Sequence, residues 1–495
     1  MKNGYILALD LGTTGNRAIV FDRSQRIVSK VYEEFGQIYP KPGWVEHDPE
    51  EIWRSVQKIL KGTFKKVPIR KILAIGITNQ RETVLLWDRV TGKPLHNAIV
   101  WQCRRTAPLC EALKKRKLEK TIHRKTGLFL DPYFSASKIT WLLKHAPGAR
   151  AALNKGRLMA GTIDSWVIWK LSGGRLHVTD SSNASRTMLF NIHNLSWDKE
   201  LCRIFGVPQS ILPRVVASSA VIGFMDKKLF GVALPIAGVM GDQQAAAFAQ
   251  GCFSPGVVKN TYGTGLFALE NTGRRAQFSK DLLTTVAWSL GHLKNTEYAV
   301  EGSVFVGGAA ISWLRDGLKI LKDSPASEHL AKGLPTNEGV FFVPALAGLG
   351  APYWDARARG LIIGLTRGTT AAHLARAALE AIAYQTRDIS DVMQRNTKHR
   401  FSQLRVDGGA SANDLLMQFQ ADVLGIPVQR PKVLETTALG AAGAAGLAVG
   451  FWKDREDFSR RRRIDRVFRP RLKQATMQEW YSRWQEAVRR SRHWA

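Results

Sequence analysis

Three short segments combine glycine with hydroxyl or carboxylate side chains in a way that suits phosphate binding: Asp10-Leu11-Gly12-Thr13-Thr14, Tyr262-Gly263-Thr264-Gly265 and Asp407-Gly408-Gly409-Ala410. Glycine lets backbone N–H groups approach an anion, and threonine hydroxyls can donate to its oxygens. Taken singly, each is more often an ordinary turn, because glycine and threonine are common there. Together, one opening each half of the chain and a third following, they make a phosphate-and-nucleotide cleft the better explanation. Asp10, beside the phosphates, is then expected to hold Mg²⁺ through water, since magnesium keeps most of its hydration and takes one or two carboxylates. Other signatures are missing: no G-x-x-x-x-G-K-[ST] loop, no G-x-G-x-x-G after a strand, no H-E-x-x-H and no G-x-S-x-G.

The elements that must position these residues are readable from apolar patterning. Tyr5 to Asp10 and Asn16 to Asp22 form a strand, turn, strand hairpin, extended by a strand from Ile27 to Glu34. Asp48-Pro49-Glu50-Glu51 opens a helix with an N-cap and a proline in its first turn. Ile72 to Thr78 reads as a buried strand. Pro235 to Met240 is another, and Gly241-Asp242 places a carboxylate at its junction with an alanine-rich helix, Gln243 to Gln250. Val257 to Tyr262 and Leu266 to Glu270 repeat the hairpin pattern. Leu404 to Gly409 is a strand running into a glycine pair, followed by a helix from Asn413 to about Leu424 and a small-residue helix around Ala438. Two such halves imply a duplicated α/β architecture with ligands in the cleft between them.

A chain of 495 residues, 45% hydrophobic, exceeds one ordinary core, so two or more packed domains are expected. The boundary is placed near residue 251, giving domains 1–251 and 252–495, the second with a basic tail from about residue 453. No export signal and no membrane-spanning run is read. Cys103, Cys110, Cys202 and Cys252 are too sparse for a disulfide framework, which fits the cytoplasm. The net charge of +31 raises nucleic-acid or anionic-membrane binding. Basic residues are scattered, however, and the one dense run, Arg460 to Arg463, has no zinc-ligand spacing or aromatic-glycine signature beside it, so no dedicated nucleic-acid module is expected.

Longer motifs carry a resemblance. Residues 37–49, Thr78-Asn79-Gln80-Arg81-Glu82-Thr83, Val100-Trp101-Gln102-Cys103-Arg104-Arg105, Asp131-Pro132-Tyr133-Phe134-Ser135, Gly241-Asp242-Gln243-Gln244, residues 348–355 and residues 405–410 closely resemble the glycerol kinases of the FGGY carbohydrate kinase family, from about Tyr5 to Trp452. The resemblance implies a two-domain fold of the actin, Hsp70 and hexokinase type, ribonuclease H-like in each half, with an interdomain cleft. It implies transfer of the γ-phosphate of ATP to glycerol with Mg²⁺ as cofactor, and a homo-oligomer, dimer or tetramer.

Residue by residue, the resemblance assigns glycerol hydroxyls to Arg81, Glu82, Tyr133, Asp242 and Gln243, and the apolar walls to Trp101 and Phe267. It makes Asp242 the general base, since attack on the γ-phosphorus needs the hydroxyl proton removed. It gives the nucleotide to Thr13, Thr14, Gly15, Arg17, Thr264, Gly308, Ser312, Gly409 and Asn413, and the metal to Asp10. Without it, Arg81-Glu82 reads as a surface ion pair and the aromatics as core. Departures from the family pattern fall at Leu11, Gly15 and Asn16, where glutamine and paired serines are usual, and at Ser312, where glutamine is common. The loop from Met225 to Leu234 lacks the Gly-Gly-Thr-Arg segment and the histidine through which some bacterial members are regulated. Another polyol kinase of the family, a non-enzymatic nucleotide-binding protein of actin or chaperone type, and a charge-driven nucleic-acid binder are the competing readings.

Overall fold

The protein is described from a computed structural model over residues 4–355 and 357–495. Two sheets carry it. Across the first, the strands run Ile27–Glu34, Gly15–Phe21, Tyr5–Leu11, Ile72–Asn79, Pro235–Gly241 and Ser219–Phe224. Across the second they run Thr296–Val304, Leu266–Gly273, Val257–Tyr262, Gln403–Asp407, Val428–Pro431 and Ile464–Phe468, with Leu283–Ser289 added outside the first of these. The pairings match step for step. In each half an antiparallel pair leads into the hairpin, the hairpin's first strand lies parallel to the next two, and the last strand is antiparallel. The echo seen in the two Gly/Thr turns therefore extends through six strands.

Local chemistry explains the turns. Gly12 N–H donates to Gly15 O at 3.1 Å and Gly263 N–H to Gly265 O at 3.0 Å. A Cβ on Gly15 would lie 2.6 Å from the Tyr32 hydroxyl, and one on Gly265 would lie 2.5 Å from Val304 O, so neighbouring strands leave room only for glycine. Helix Pro49–Lys66 starts where the Asp48 carboxylate accepts from Glu50 N–H at 2.8 Å, and it buries Ile52, Val56, Ile59 and Leu60 on the first sheet. Each such side chain contributes about 1.5–3 kcal/mol of transfer free energy.

Helix Thr436–Ala448 is buried on nearly every side and packs on the opposite face of the first sheet, although its sequence belongs to the second half. Its backbone comes so close that a Cβ on Gly76 would lie 2.1 Å from Ala441 O. Among the described residues no helix is long and apolar enough to cross a membrane, as expected for this segment. All four cysteines are free and buried.

The basic segment from about residue 453 carries regular secondary structure. Ile464–Phe468 is the edge strand of the second sheet, and helix Gln474–Ser491 buries Tyr481 and Trp484, whose O–H and N–H donate to Asp388 at 2.6 and 3.0 Å. Within the arginine run, Arg461 pairs with Asp457 at 2.8 Å and Arg462 donates to the Gln250 and Gln429 side-chain oxygens. Aromatic burial, not charge, decides this segment's state.

Candidate active site

Parallel neighbours in a sheet release their C-terminal ends side by side. Ile72–Asn79 runs into Gln80-Arg81-Glu82, and Pro235–Gly241 runs into helix Asp242–Ala249, so Arg81 Nε meets Asp242 Oδ1 at 3.0 Å. Asp242 is the first residue of the helix rather than its N-cap, which is Gly241, and its Oδ1 also accepts from Gln243 N–H at 2.7 Å. Glu82 adopts φ 60°, a left-handed conformation that costs a non-glycine residue about 1 kcal/mol. A buried polar run, Asp180 to Arg186, ties both strand ends. Asn183 exchanges amide hydrogen bonds with Asn79 at 3.0 Å, and the Ser182 hydroxyl accepts from Gly241 N–H at 2.9 Å.

Arg81 and Glu82 are not a surface ion pair: both are buried, and they stand 3.9 Å apart. Their close partners come from elsewhere. Arg81 donates to Glu301 at 2.5 and 3.1 Å, and Arg186 donates to Glu82 at 2.6 Å and to Glu301 at 3.1 Å. Burial opposes the charge of Glu301, but Arg186 and Arg81 hold its carboxyl down at about 2. Burial prevails at Glu82, whose carboxyl is raised despite Arg186 and Arg81. Asp242, with about 30% of its side chain exposed, is the member of the cluster that opens outward.

Apolar walls flank this cluster. The Trp101 ring stands edge-on to Tyr133 at 5.7 Å and to Phe267 at 6.4 Å between centroids. Trp101 Nε1 donates to the Thr13 hydroxyl at 3.1 Å, which joins the wall to the first glycine turn. Gln243 is anchored by the buried Lys259, whose ammonium donates to its side-chain oxygen at 2.5 Å, to the Thr261 hydroxyl at 2.8 Å and to Phe267 O at 3.2 Å. Burial lowers the pKa of Lys259, and the Asp407, Asp242 and Glu301 carboxylates work against that.

The nucleotide candidates gather on the turns. Thr14 and Thr264 are exposed at the two hairpin tips, and Gly308 N–H donates to Gly263 O at 2.9 Å, which puts the start of helix Ala309–Asp316 against the second turn. Gly409 is open, with no atom near its missing Cβ, while Gly408 (φ 87°) is pressed on Tyr262 O. Asn413 caps helix Asp414–Leu424 through its side-chain oxygen, leaving its amide N–H₂ for a ligand. The Ser312 hydroxyl turns back to Gly308 O at 3.4 Å, and Asn16 points into the body of the first half toward Ile52 O and Ser55. Leu11 is fully buried core. Arg17 pairs with Asp10 Oδ2 at 3.2 Å, and the Thr437 hydroxyl donates to the same oxygen at 3.1 Å. Burial raises the Asp10 carboxyl, and Arg17 works against that. Asp10 Oδ1 takes no hydrogen bond among the described residues, so one carboxylate oxygen fits a hydrated cation. No group of three or more metal-ligating side chains forms among the described residues.

Glu301, Arg186 and Lys259 are the residues the sequence left unmarked, and Gln244 was noted only within a motif, without a role. For Arg186 the mostly polar string from residue 180 to 187 was the available signal, since so polar a run buried whole must satisfy its groups internally.

Comparison with known proteins supplies a family. The model described as the FGGY family of carbohydrate kinases, N-terminal domain, matches residues 5–249, and its C-terminal counterpart matches residues 258–449. Glycerol kinase 2 of Thermotoga maritima is 57% identical over 493 residues, covering 99% of each chain. The glycerol kinase of Symbiobacterium thermophilum is 56% identical over 500 residues, covering all of both. Among solved structures, Plasmodium falciparum glycerol kinase with ADP superposes with a TM-score of 0.92 at 37% identity, covering 99% of this chain and 98% of that one. Gluconate kinase of Lactobacillus acidophilus gives 0.87 at 25% identity, with coverage of 98% and 97%. On the matched domains and on this identity along its whole length, the chain belongs to the FGGY family of carbohydrate kinases.

Proposed function

We infer that the chain is a glycerol kinase, which transfers the γ-phosphate of ATP to glycerol and releases sn-glycerol 3-phosphate and ADP. The observation that carries the site assignment is the meeting of Asp242 with Arg81 at 3.0 Å beside the Trp101, Tyr133 and Phe267 rings, on the strand ends next to the first glycine turn. Glycerol is uncharged, so its selection needs hydroxyl partners against apolar walls. Arg81 donates, Glu82 accepts, and Tyr133, Asp242 and Gln243 supply further contacts. The Asp242 carboxylate takes the proton from the attacking hydroxyl as its oxygen bonds to the γ-phosphorus and the bond to the β,γ-bridging oxygen breaks. Thr13, Thr14, Gly15, Arg17, Thr264, Gly308, Gly409 and Asn413 hold the nucleotide. Ser312 lines the helix start and is the weakest of the group, its hydroxyl being spent on Gly308 O. A divalent cation accompanies the nucleotide, and we assign it as Mg²⁺ held through water by Asp10; when bound it neutralises charge on the phosphates. Free buried cysteines favour the cytoplasm.

A coupled assay at fixed Mg-ATP with glycerol, dihydroxyacetone and xylulose tests this function. Glycerol is expected to give the highest kcat/KM. Turnover of another substrate without glycerol turnover would overturn the substrate and leave the fold.

A further inference from the structure

Glu301 lies mid-strand in Thr296–Val304, opposite Leu269 on one side and Leu283 on the other, in the half of the molecule that does not carry Arg81, Glu82 or Asp242. Paired on both flanks, its backbone cannot shift without disturbing the second sheet. Its side chain is 0% exposed and reaches across to two guanidinium groups of the first half. Its Oε1 also accepts from the Ser303 hydroxyl at 3.3 Å.

The donors of Arg81 are almost fully committed. Nε serves Asp242, Nη1 serves Glu301 and Gln244, and Nη2 serves Glu301, which leaves one N–H of Nη2 for a ligand. Arg186 spends Nε on Glu82 and Nη2 on Glu301, while its buried Nη1 has no hydrogen-bond partner among the described residues. Without Glu301, the nearest carboxylates left to these two buried cations would be Glu82 and Asp242. Glu82 already stands 3.9 Å from Arg81. A buried guanidinium with no counter-ion takes whatever carboxylate it can reach, because leaving it unpaired costs several kcal/mol.

We propose that Glu301 is a positioning residue of the polyol site: Arg81 already holds Asp242 and Arg186 already holds Glu82 through Nε, and by occupying the far end of Arg81 and sharing Arg186, Glu301 keeps their remaining donors from turning onto Glu82 and Asp242 as well. The second half of the molecule thereby completes a substrate site whose direct contacts lie mainly on the first. This proposal deepens the proposed glycerol kinase reading and rests on it.

The experiment compares the full-length wild type with Glu301→Gln and Glu301→Asp in steady-state kinetics from pH 5.5 to 9. Glu301→Gln is expected to raise the glycerol KM about ten-fold or more and to lower kcat, with the ATP KM held within about two-fold. The acid limb of kcat/KM should move to lower pH, because the Glu301 charge is one of the influences that raise the Glu82 carboxyl. Glu301→Asp keeps the charge and should restore the acid limb and part of the glycerol KM. An unchanged glycerol KM in Glu301→Gln overturns the proposal. So do equal defects in the two variants with an unmoved acid limb, the pattern of a packing role. Should Glu301→Gln fail to fold, Glu301→Asp decides alone: a rise in the glycerol KM with the ATP KM unmoved supports the proposal, and a parallel change in both, or none, overturns it. Wild-type turnover separates the two readings. If the wild type phosphorylates a different polyol, the substrate assignment fails and the same comparison is made on that polyol.

Discussion

At Asp242 the proposed chemistry depends on one oxygen pair. Replacing the carboxylate by an amide removes the proton acceptor while keeping the volume and the helix start, so Asp242→Asn is expected to lower kcat by roughly 10²- to 10⁴-fold with a modest change in KM. Near-normal turnover of the purified variant would remove Asp242 from the role. This residue was legible in the sequence because a carboxylate at a strand-to-helix junction stands out from its apolar neighbours. Arg81 and Glu82 were legible only through a family motif, since their types alone suit a surface ion pair. Glu301 and Lys259 left no trace. Lys259 is the one charged residue of its strand and Glu301 shares its strand with Glu297, and the partners of each lie mainly in other segments: Arg81 and Arg186 for Glu301, chiefly Gln243 for Lys259. Pairing of that kind is a property of the folded chain, and no spacing along the sequence encodes it.

Helices and strands were easier to read than charges, because apolar period and turn chemistry act locally. Strand Ile27–Glu34 and strand Val257–Tyr262 have the limits their sequences suggest, whereas Leu266–Gly273 runs past Glu270 because Asn271 and Gly273 still pair with Thr296–Val304 after the pairing with Val257–Tyr262 has ended. What composition could not show is how close two helices lie. Helix Thr436–Ala448 crosses helix Asp242–Ala249 so tightly that a Cβ on Gly440 would lie 1.8 Å from Ala245 O. Helix propensity alone makes Gly440→Ala stabilising by about 1 kcal/mol, whereas overpacking costs typically 1–3 kcal/mol and more when backbone must move. Packing should win here, because the obstructing atom is a carbonyl oxygen within the helix that begins with Asp242. A lower melting temperature and reduced kcat are expected for Gly440→Ala. A gain in melting temperature with full kcat would show that the two helices are not tightly engaged.

Over the whole molecule, stability toward acid is set by groups that burial has moved in opposite directions. His47 hydrogen-bonds Gln37 at 2.8 Å, and His177 Nε2–H donates to Ala160 O at 2.9 Å; burial holds each at about 4. An unfolded histidine titrates near 6.5. Between pH 6.5 and 4 the unfolded chain therefore binds protons that the folded chain refuses, so these two residues take stability away as pH falls. Asp164 and Asp388, raised by burial to about 6, act with the opposite sign, because their folded forms accept protons first. The total slope mixes all four, but a single substitution isolates one. His47→Gln keeps a polar side chain and removes the titration. It should be less stable than wild type at pH 7, and that deficit should shrink by on the order of 2 kcal/mol on going from pH 6.5 to 5. Melting temperatures of the two proteins measured across this range are expected to converge as pH falls. A constant gap would mean that His47 titrates alike in the folded and unfolded chains. His47 also reaches the phosphate turn, since Gln37 donates onward to Thr13 O at 2.9 Å, so acid titration of a buried group in the first half acts on the segment that is proposed to hold ATP.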